Sequence, residues 1–290
     1  MNSDVRNILI TGSTGTVGSA VVKAILSDNF TGKIRCATRS PENFIKSDNR
    51  QIEPVMFNYA DPQTISAATQ DVDALFLVTG YSSEMLMQSK MVLDFAKKSG
   101  VKHIVHLGAL STDDTNLAHL SWHQFVEAYI QMKGFSYTHL RPNFFMNSVL
   151  KSLSKSGDKL FHFYGDSKVS FAHVDDIAAI SSAALRDPVN HSGKVYPIAS
   201  EALTMSEVAK TIGTVWNRDI SSVALPIEKA FPILVKGGMD TQYATGLAAQ
   251  MSEIASGTAK WTEEVFKTIE NVFGRPSISW RTAAENWLKL

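Results

Sequence analysis

Residues 8–18 read Ile8-Leu9-Ile10-Thr11-Gly12-Ser13-Thr14-Gly15-Thr16-Val17-Gly18, and this stretch decides the fold. Ile8 to Ile10 form a short apolar run of the kind that makes a buried strand. Gly12, Gly15 and Gly18 follow at three-residue spacing, and Val21, Val22, Ile25 and Leu26 then recur at helical intervals. Strand, glycine turn and helix form the context in which such glycines signal a dinucleotide site. Gly12 permits the tight turn, Gly15 lets the backbone approach a pyrophosphate, and Gly18 lets the helix pack close to the strand. The first N–H groups of the helix and its positive dipole end would face the phosphates. Thr11, Thr14, Thr16 and Val17, interleaved with the glycines, are assigned to the same contact. The competing reading is a glycine-rich turn with no ligand.

Outward from this turn, apolar runs and helical patterns alternate. Strands are expected at Ile34–Thr38, Glu53–Phe57, Ala74–Val78, His103–Leu107 and Tyr137–Leu140, with helices at 19–27, 63–69, 85–99 and 119–133. Continuous apolar strands joined by helices mean a parallel sheet covered on both faces. After Arg141-Pro142 the rhythm breaks. Residues 151–168 are polar, Val169–Val174 and Lys194–Ile198 read as further strands, and Asp175–Leu185 as a helix. From 203 to 290 the pattern is largely helical, punctuated by Pro226, Pro232, Gly237-Gly238 and Pro276. The expected fold is α/β: a Rossmann-type doubly wound parallel sheet in residues 1–150 and 169–200, with a smaller, mainly helical substrate or lid domain in 151–168 and 201–290. Ligands should lie at the carboxyl ends of the strands.

Composition narrows the function. Lys+Arg and Asp+Glu balance at 28 each and no basic run exceeds two residues, which argues against nucleic acid as the main partner. Cys36 is the only cysteine, which excludes a disulfide within the chain or a thiolate metal cluster, and its place in an apparent strand suits an inert core position. No apolar stretch reaches the length of a membrane span, and Met1 to Arg6 lead into the first strand with no signal-like apolar region. A cytoplasmic protein is expected, monomer or homodimer, acting on a small molecule.

The end of the second strand normally meets the adenosine ribose, where an acidic residue favours NAD. Here Ile34-Arg35-Cys36-Ala37-Thr38-Arg39-Ser40 offers no acid, and Arg39 lies 21 residues beyond Gly18. A guanidinium can grip a 2′-phosphate with two hydrogen bonds, so NADP(H) is the expected cofactor. A solvated loop arginine beside Pro41 is the alternative and would leave the preference loose. Asn58, after the third strand, is placed to reach adenine, and Thr79-Gly80, after the fourth, to let the chain run beside a ribose. Each also reads as an ordinary turn.

Three segments together resemble the NmrA-like branch of the atypical short-chain dehydrogenases/reductases: Ile10 to Gly18, Gly100-Val101-Lys102-His103-Ile104-Val105-His106-Leu107-Gly108, and Tyr137-Thr138-His139-Leu140-Arg141-Pro142-Asn143-Phe144-Phe145-Met146-Asn147. The tail from Gly274-Arg275-Pro276-Ser277 to Trp287 fits as well, so the resemblance covers nearly the whole chain. It implies an NADPH-dependent reductase of quinones, triarylmethane dyes or plant phenolics, or a regulator that binds a dinucleotide without turning it over.

The wider superfamily carries Tyr-x-x-x-Lys, the Tyr moving a proton and the Lys holding the nicotinamide ribose. Tyr129-x-x-x-Lys133 has this spacing but falls only 12 residues before Arg141, at the outer end of its helix. The resemblance places a Glu four residues after the Lys. Glu127 then points back to His123 at the Lys position and His119 at the Tyr position. Residues four apart share a helix face, and an imidazole titrates near neutrality. The resemblance puts His123 beside the nicotinamide, as proton source or ribose anchor. For His119, a surface or helix-start place is the plainer expectation. No third ligand stands near this pair in sequence, so no metal is expected. Gly108, Ala109 and Leu110 after the fifth strand, and Pro142, Asn143, Phe144 and Phe145 after the sixth, complete the candidate pocket, with Trp122 as an apolar wall. The aromatics compete with a plain core reading. In His173-Val174-Asp175-Asp176 an aspartate N-cap is expected.

The reading is an NADPH-dependent reductase passing hydride to a small apolar, conjugated or aromatic substrate such as a quinone, dye, enone or imine. The alternative is a non-catalytic NADP(H)-sensing regulator. A nucleotide-sugar epimerase or dehydratase is weaker, because it needs the catalytic Tyr and a basic diphosphate pocket.

Overall fold

The computed structural model describes residues 5–44 and 49–289. The run from Met1 to Asp4 toward the first strand lies outside the described residues. The first half of the chain contains β1 (Asn7–Ile10), α1 (Thr16–Ser27), β2 (Lys33–Thr38), β3 (Ile52–Met56), α2 (Pro62–Ala68), β4 (Ala74–Val78), α3 (Met85–Lys98), β5 (His103–Leu107), α4 (Ala118–Met132) and β6 (Ser136–Pro142). There follow β7 (Phe144–Phe145), α5 (Met146–Ser156), β8 (Lys159–His162), β9 (Val169–Ala172), α6 (Val174–Arg186), α7 (Pro188–His191), β10 (Lys194–Ile198) and β11 (Glu201–Leu203). The remainder comprises α8 (Met205–Trp216), β12 (Ser221–Ala224), α9 (Ala230–Lys236), α10 (Thr241–Ala255), α11 (Thr268–Phe273) and α12 (Trp280–Trp287).

Seven strands form one parallel sheet in the order β10-β6-β5-β4-β1-β2-β3. The apolar runs explain it, because successive side chains of each strand enter opposite cores. Ile8, Ile10, Phe76 and Val105 pack with Val21 and Ile25 of α1 and Ile177 and Ile180 of α6. Leu9, Leu75, Leu77 and Ile104 pack with Ile65 of α2, Leu93 of α3 and Val126 and Ile130 of α4. Each fully buried side chain of this size contributes about 1.5–3 kcal/mol, which makes the two cores the main support of the sheet. Cys36 is enclosed, and burial pushes its thiol up to about 12, as an inert core position requires. Among the described residues, no helix is long and apolar enough to cross a membrane.

The second half differs in detail from the expectation. The strand at Val169–Ala172, grouped by sequence with the nucleotide-binding segment 169–200, does not join the large sheet. It pairs in parallel with β7 and antiparallel with β11. The chain leaves the large sheet after Pro142 and offers Phe144–Phe145 as a new partner, so β9 is buried along its length outside that sheet. Helix α5 starts within the segment 1–150 and crosses its boundary. Met146, Leu150 and Leu153, at i, i+4 and i+7, enter a third core with Phe171, Val208, Ile212 and Trp280. The cap of α6 is His173, not an aspartate: its Nδ1 accepts from the Asp175 N–H at 3.2 Å. Asp176 is buried instead, accepting from the Ile278 N–H at 2.8 Å and pairing with Arg275 at 2.8 Å, which ties the C-terminal tail to the sheet domain.

Candidate active site

The glycine turn lies between β1 and α1, where the sheet changes direction of travel from β1–β2–β3 to β4–β5–β6. Gly12 has φ +62°, a left-handed conformation that suits glycine. A Cβ on Gly18 would lie 2.2 Å from the Gly12 carbonyl oxygen, so α1 can approach the turn only with glycine there. Both are explained by the fold alone. Gly15 is different. It is exposed, has an ordinary φ of −82°, and a Cβ on it would meet only the Gly12 oxygen, at 3.2 Å. No side chain caps α1 and no acid stands in its first turn. Thr14 and Thr16 are exposed beside it. Such an uncapped helix start suits a diphosphate. Thr11 is enclosed: its hydroxyl donates to the Phe76 carbonyl at 2.9 Å and accepts from the Val78 N–H at 2.8 Å, tying β1 to β4. The Ser13 hydroxyl donates to the Ala37 carbonyl, tying the turn to β2. Val17 packs into the core below.

Sheet order aligns the other candidates along one edge. At the carboxyl end of β3 stands Asn58, whose Oδ1 accepts from the Ala60 N–H in a local turn. Past β2 comes Arg39, exposed and without an ion pair to the described residues. Next are the glycine turn after β1, Thr79-Gly80 after β4, Gly108-Ala109-Leu110 after β5 and Pro142 to Phe145 after β6. Gly80 has open space where a Cβ would stand, with Ser82 Oγ nearest at 3.9 Å. On the β4–β5–β6 side this edge opens into a cavity of about 420 Å³, lined by Thr79, Gly108, Ala109, Leu110, Pro142, Asn143, Phe144, Phe145 and His123 among others. Asn143 is committed to holding the loop, its amide donating to Ser170 Oγ (2.8 Å) and the Thr262 carbonyl (3.0 Å).

Several of the lining residues were not singled out in the sequence. Helix α10 closes the cavity with Tyr243, Leu247, Gln250 and Met251. It is anchored by Asp240, which accepts from the Tyr243 N–H and the Ser83 N–H. Tyr81, Tyr164, Ser148, Val149 and Met239 also line it. His119 stands on the first turn of α4, but enclosed, lining the cavity beside Gln250 Oε1 at 3.0 Å. Gly246 makes this possible, since a Cβ there would lie 2.7 Å from His119 Nδ1. Trp122 does not line the cavity; it packs 6.2 Å from the Tyr243 ring, behind it. Tyr129 and Lys133 lie away from it, both bound to Asp94 between α3 and α4, at 2.7 and 2.8 Å.

His123 is buried, and burial with the nearby His119 lowers its pKa to about 4, so the ring is neutral near pH 7. Its Nδ1 faces His106 Nε2 at 3.5 Å, while Nε2 is neither enclosed nor hydrogen-bonded and belongs to the cavity side. Burial also raises Tyr81, Tyr164 and Tyr243, so none of these phenols is a ready acid–base group. Below His123 lie His106, His139 and Glu127, with a ring nitrogen of each histidine and a carboxylate oxygen within 4.8 Å of one another. Both Glu127 oxygens accept from Arg141, at 3.2 and 2.6 Å. That pair balances its own charge, and a dication beside Arg141 would meet repulsion. His106 Nδ1 and His139 Nδ1 are enclosed without partners. An unpaired buried polar atom costs about 1–3 kcal/mol, so two together ask for a role.

Comparison with known proteins agrees with this architecture. The model of the NmrA-like family matches residues 4–285. The NAD(P)H azoreductase of Xenophilus azovorans is 30% identical, over 96% of this chain and 96% of its own. Quinone oxidoreductase 2 of Escherichia coli (strain K12) is 26% identical, over 93% of this chain and 94% of its own. The solved NADPH-dependent quinone oxidoreductase from Escherichia coli, complexed with NADPH, superposes with a TM-score of 0.81 at 22% identity, covering 97% of this chain and 99% of that one.

Two outcomes are expected. Gly15→Val should abolish NADPH binding in a fluorescence titration while the circular dichroism spectrum stays native; retained affinity would make the turn purely structural. Stability should also fall with acid. His103 and His123, near 4, and His139, near 3, sit below the ordinary 6.5 because of burial. The unfolded chain therefore binds more protons below about pH 6.5, and stability is lost as pH falls toward the folded values. Urea unfolding at pH 7 and pH 5 should differ by up to about 2 kcal/mol per histidine, and His123→Phe should flatten the slope by one such share. An unchanged slope would place His123 in solvent.

Proposed function

Because the chain belongs to the NmrA-like family and is an NAD(P)H-dependent oxidoreductase, we propose that it reduces a small apolar, conjugated or aromatic acceptor of the quinone, dye, enone or imine class, with NADPH as reductant. One observation carries this reading: the candidate residues follow one another along the carboxyl edge of the sheet, from Asn58 and Arg39 through the glycine turn to Thr79, and end in a small, largely apolar cavity that holds His123. A reduced nicotinamide bound there supplies hydride.

The chain's own groups then divide the work. The N–H groups at the start of α1 and the bare backbone of Gly15 hold the diphosphate, and Arg39 grips the 2′-phosphate. Asn58 meets adenine, and Thr79-Gly80 passes the ribose. Gly108, Ala109, Pro142, Asn143 and Phe144 shape the nicotinamide end; Leu110 and Phe145 face the acceptor. Since His123 is neutral near pH 7, what it offers is a neutral N–H rather than an imidazolium. An acceptor that takes hydride readily needs little acid assistance, which suits a site without the usual Tyr and Lys. The cavity size fits a small ligand, as pockets for such molecules run from about 300 to 1,000 Å³. A non-catalytic NADP(H) sensor would share the nucleotide site but show no turnover.

NADPH oxidation followed against a panel of quinones, azo and triarylmethane dyes, enones and imines should reveal turnover with at least one class; binding without any turnover would favour the sensor. In the same preparation, Arg39→Ala should cut the NADPH preference over NADH by about 1.5–3 kcal/mol, the worth of a charge-assisted two-point contact. An unchanged NADPH:NADH ratio would remove Arg39 from the phosphate site.

A further inference from the structure

Hydride transfer puts negative charge on an oxygen of a quinone-type acceptor, and a dry cavity has to meet that charge with a donor. We propose that the side-chain amide of Gln250, aimed by His119, is this donor and makes the site selective for neutral acceptors that carry a carbonyl oxygen; this rests on the reductase reading above.

The donor is built where α10 meets the start of α4. Gly246 and Gln250 stand four apart on α10 and so share a face. Gly246 gives the His119 ring its clearance, since a Cβ there would lie 2.7 Å from Nδ1, and Gln250 gives it a partner, with Oε1 3.0 Å from Nε2. An amide oxygen only accepts, so His119 Nε2 carries the ring proton and donates it. A reversed amide would force that proton onto Nδ1, which is enclosed without a partner. Burial holds His119 below the ordinary histidine value, so the ring is neutral near pH 7. With Oε1 held, the amide keeps two N–H groups to offer. Gln250 is only 4% exposed, yet its Nε2 is neither enclosed nor hydrogen-bonded among the described residues, so it belongs to the cavity that the residue lines.

The rest of the wall leaves this role open. Among the described residues that line the cavity there is no Asp, Glu, Lys or Arg. A charged acceptor would therefore lose its hydration without gaining a counter-charge. The N–H groups of Gly108 and Leu110 are spent on the Leu140 and Pro142 carbonyls, and the Asn143 amide on Ser170 and Thr262. The Tyr164 and Tyr243 hydroxyls turn about their own C–O bonds, so neither is aimed in advance. His119 spends its one ring proton on Gln250. It stands one helical turn from His123, about 5.4 Å of rise, so a single acceptor ring can reach from the His123 end to the amide. The acceptor takes hydride, and with it two electrons, from NADPH, which is oxidised to NADP⁺. As the new bond to hydrogen forms, an electron pair of the acceptor moves onto its carbonyl oxygen, where the Gln250 N–H groups meet it. The oxyanion takes its proton from water on leaving the cavity, and Gln250 keeps both of its own.

Two acceptors in single-turnover mixing with NADPH test the role. Menadione develops an oxyanion; the cationic triarylmethane dye malachite green loses its charge and develops none. Gln250→Met keeps the length and removes the donor, and should lower the menadione-to-dye rate ratio by roughly 100-fold, the scale of a lost oxyanion donor. Gln250→Glu still offers His119 an oxygen but turns a second oxygen to the cavity. At about pH 8, well above the ordinary carboxylate range, it should lower the ratio at least as far. In the wild type saturated with NADP⁺, where no hydride passes, added menadione should shift the ¹H–¹⁵N signals of the Gln250 side-chain amide. An unchanged ratio in the Met variant, a Glu variant that matches the wild type, or amide signals unmoved by menadione would overturn the inference and leave Gln250 as a packing contact between α10 and α4. A wild type that reduces neither acceptor would overturn the reductase reading with it; one that reduces the dye but not menadione would overturn the selectivity alone.

Discussion

The parallel pairing of β1 with β2 on one side and β4 on the other is the constraint on which the site depends. It places the glycine turn at the point where the strand order runs outward both ways, and brings the carboxyl ends of six consecutive neighbours to one edge. Thr11 locks that junction, its hydroxyl bridging the Phe76 carbonyl and the Val78 N–H. Val78 in turn both packs against Gly12 and lines the cavity, so the nucleotide turn and the acceptor cavity share one side chain. Closure comes from a distant part of the chain, through α10 packed on α4 by way of Gly246 and anchored to Ser83 by Asp240.

The centre of the sheet was legible because β1, β4 and β5 are largely apolar, buried runs. Ala74–Val78 and His103–Leu107 fall where the residues alone put them, because a strand buried on both faces reads as an unbroken apolar run; the edge strand Lys194–Ile198 falls there too, although its first residues are exposed. The small sheet was not legible. β7 has two residues and β11 three, and both exist only because β9 lies between them, a long-range pairing without a local period. Helix α5 hid for a different reason: its three core residues stand among Lys and Ser, so the segment reads as polar while its inner face is not.

Within the site, strand-end residues were legible through topology and the rest were not. Leu110 and Phe145 come to the cavity because they follow strands that end there. Trp122 does not, because its neighbour His123 faces the cavity and adjacent residues on a helix point about 100° apart. His119 was expected outside on the strength of its helix-start position; the approach of α10, made possible by Gly246, encloses it. The His106–His139 pair reads as alternation within two buried strands, and only the register of β5 with β6 shows that the rings meet. Burial then decides their chemistry: a ring held near pKa 4, as His123 is, works as a neutral donor and acceptor at pH 7.

A crystal structure of the chain with bound NADPH tests the central claim most directly. The diphosphate should lie on the N–H groups of α1 beside Gly15, the 2′-phosphate against Arg39, and the nicotinamide in the cavity within contact of His123. A nicotinamide outside the cavity, or a His123 ring separated from it by other side chains, would rule out this site for hydride transfer and favour a nucleotide sensor.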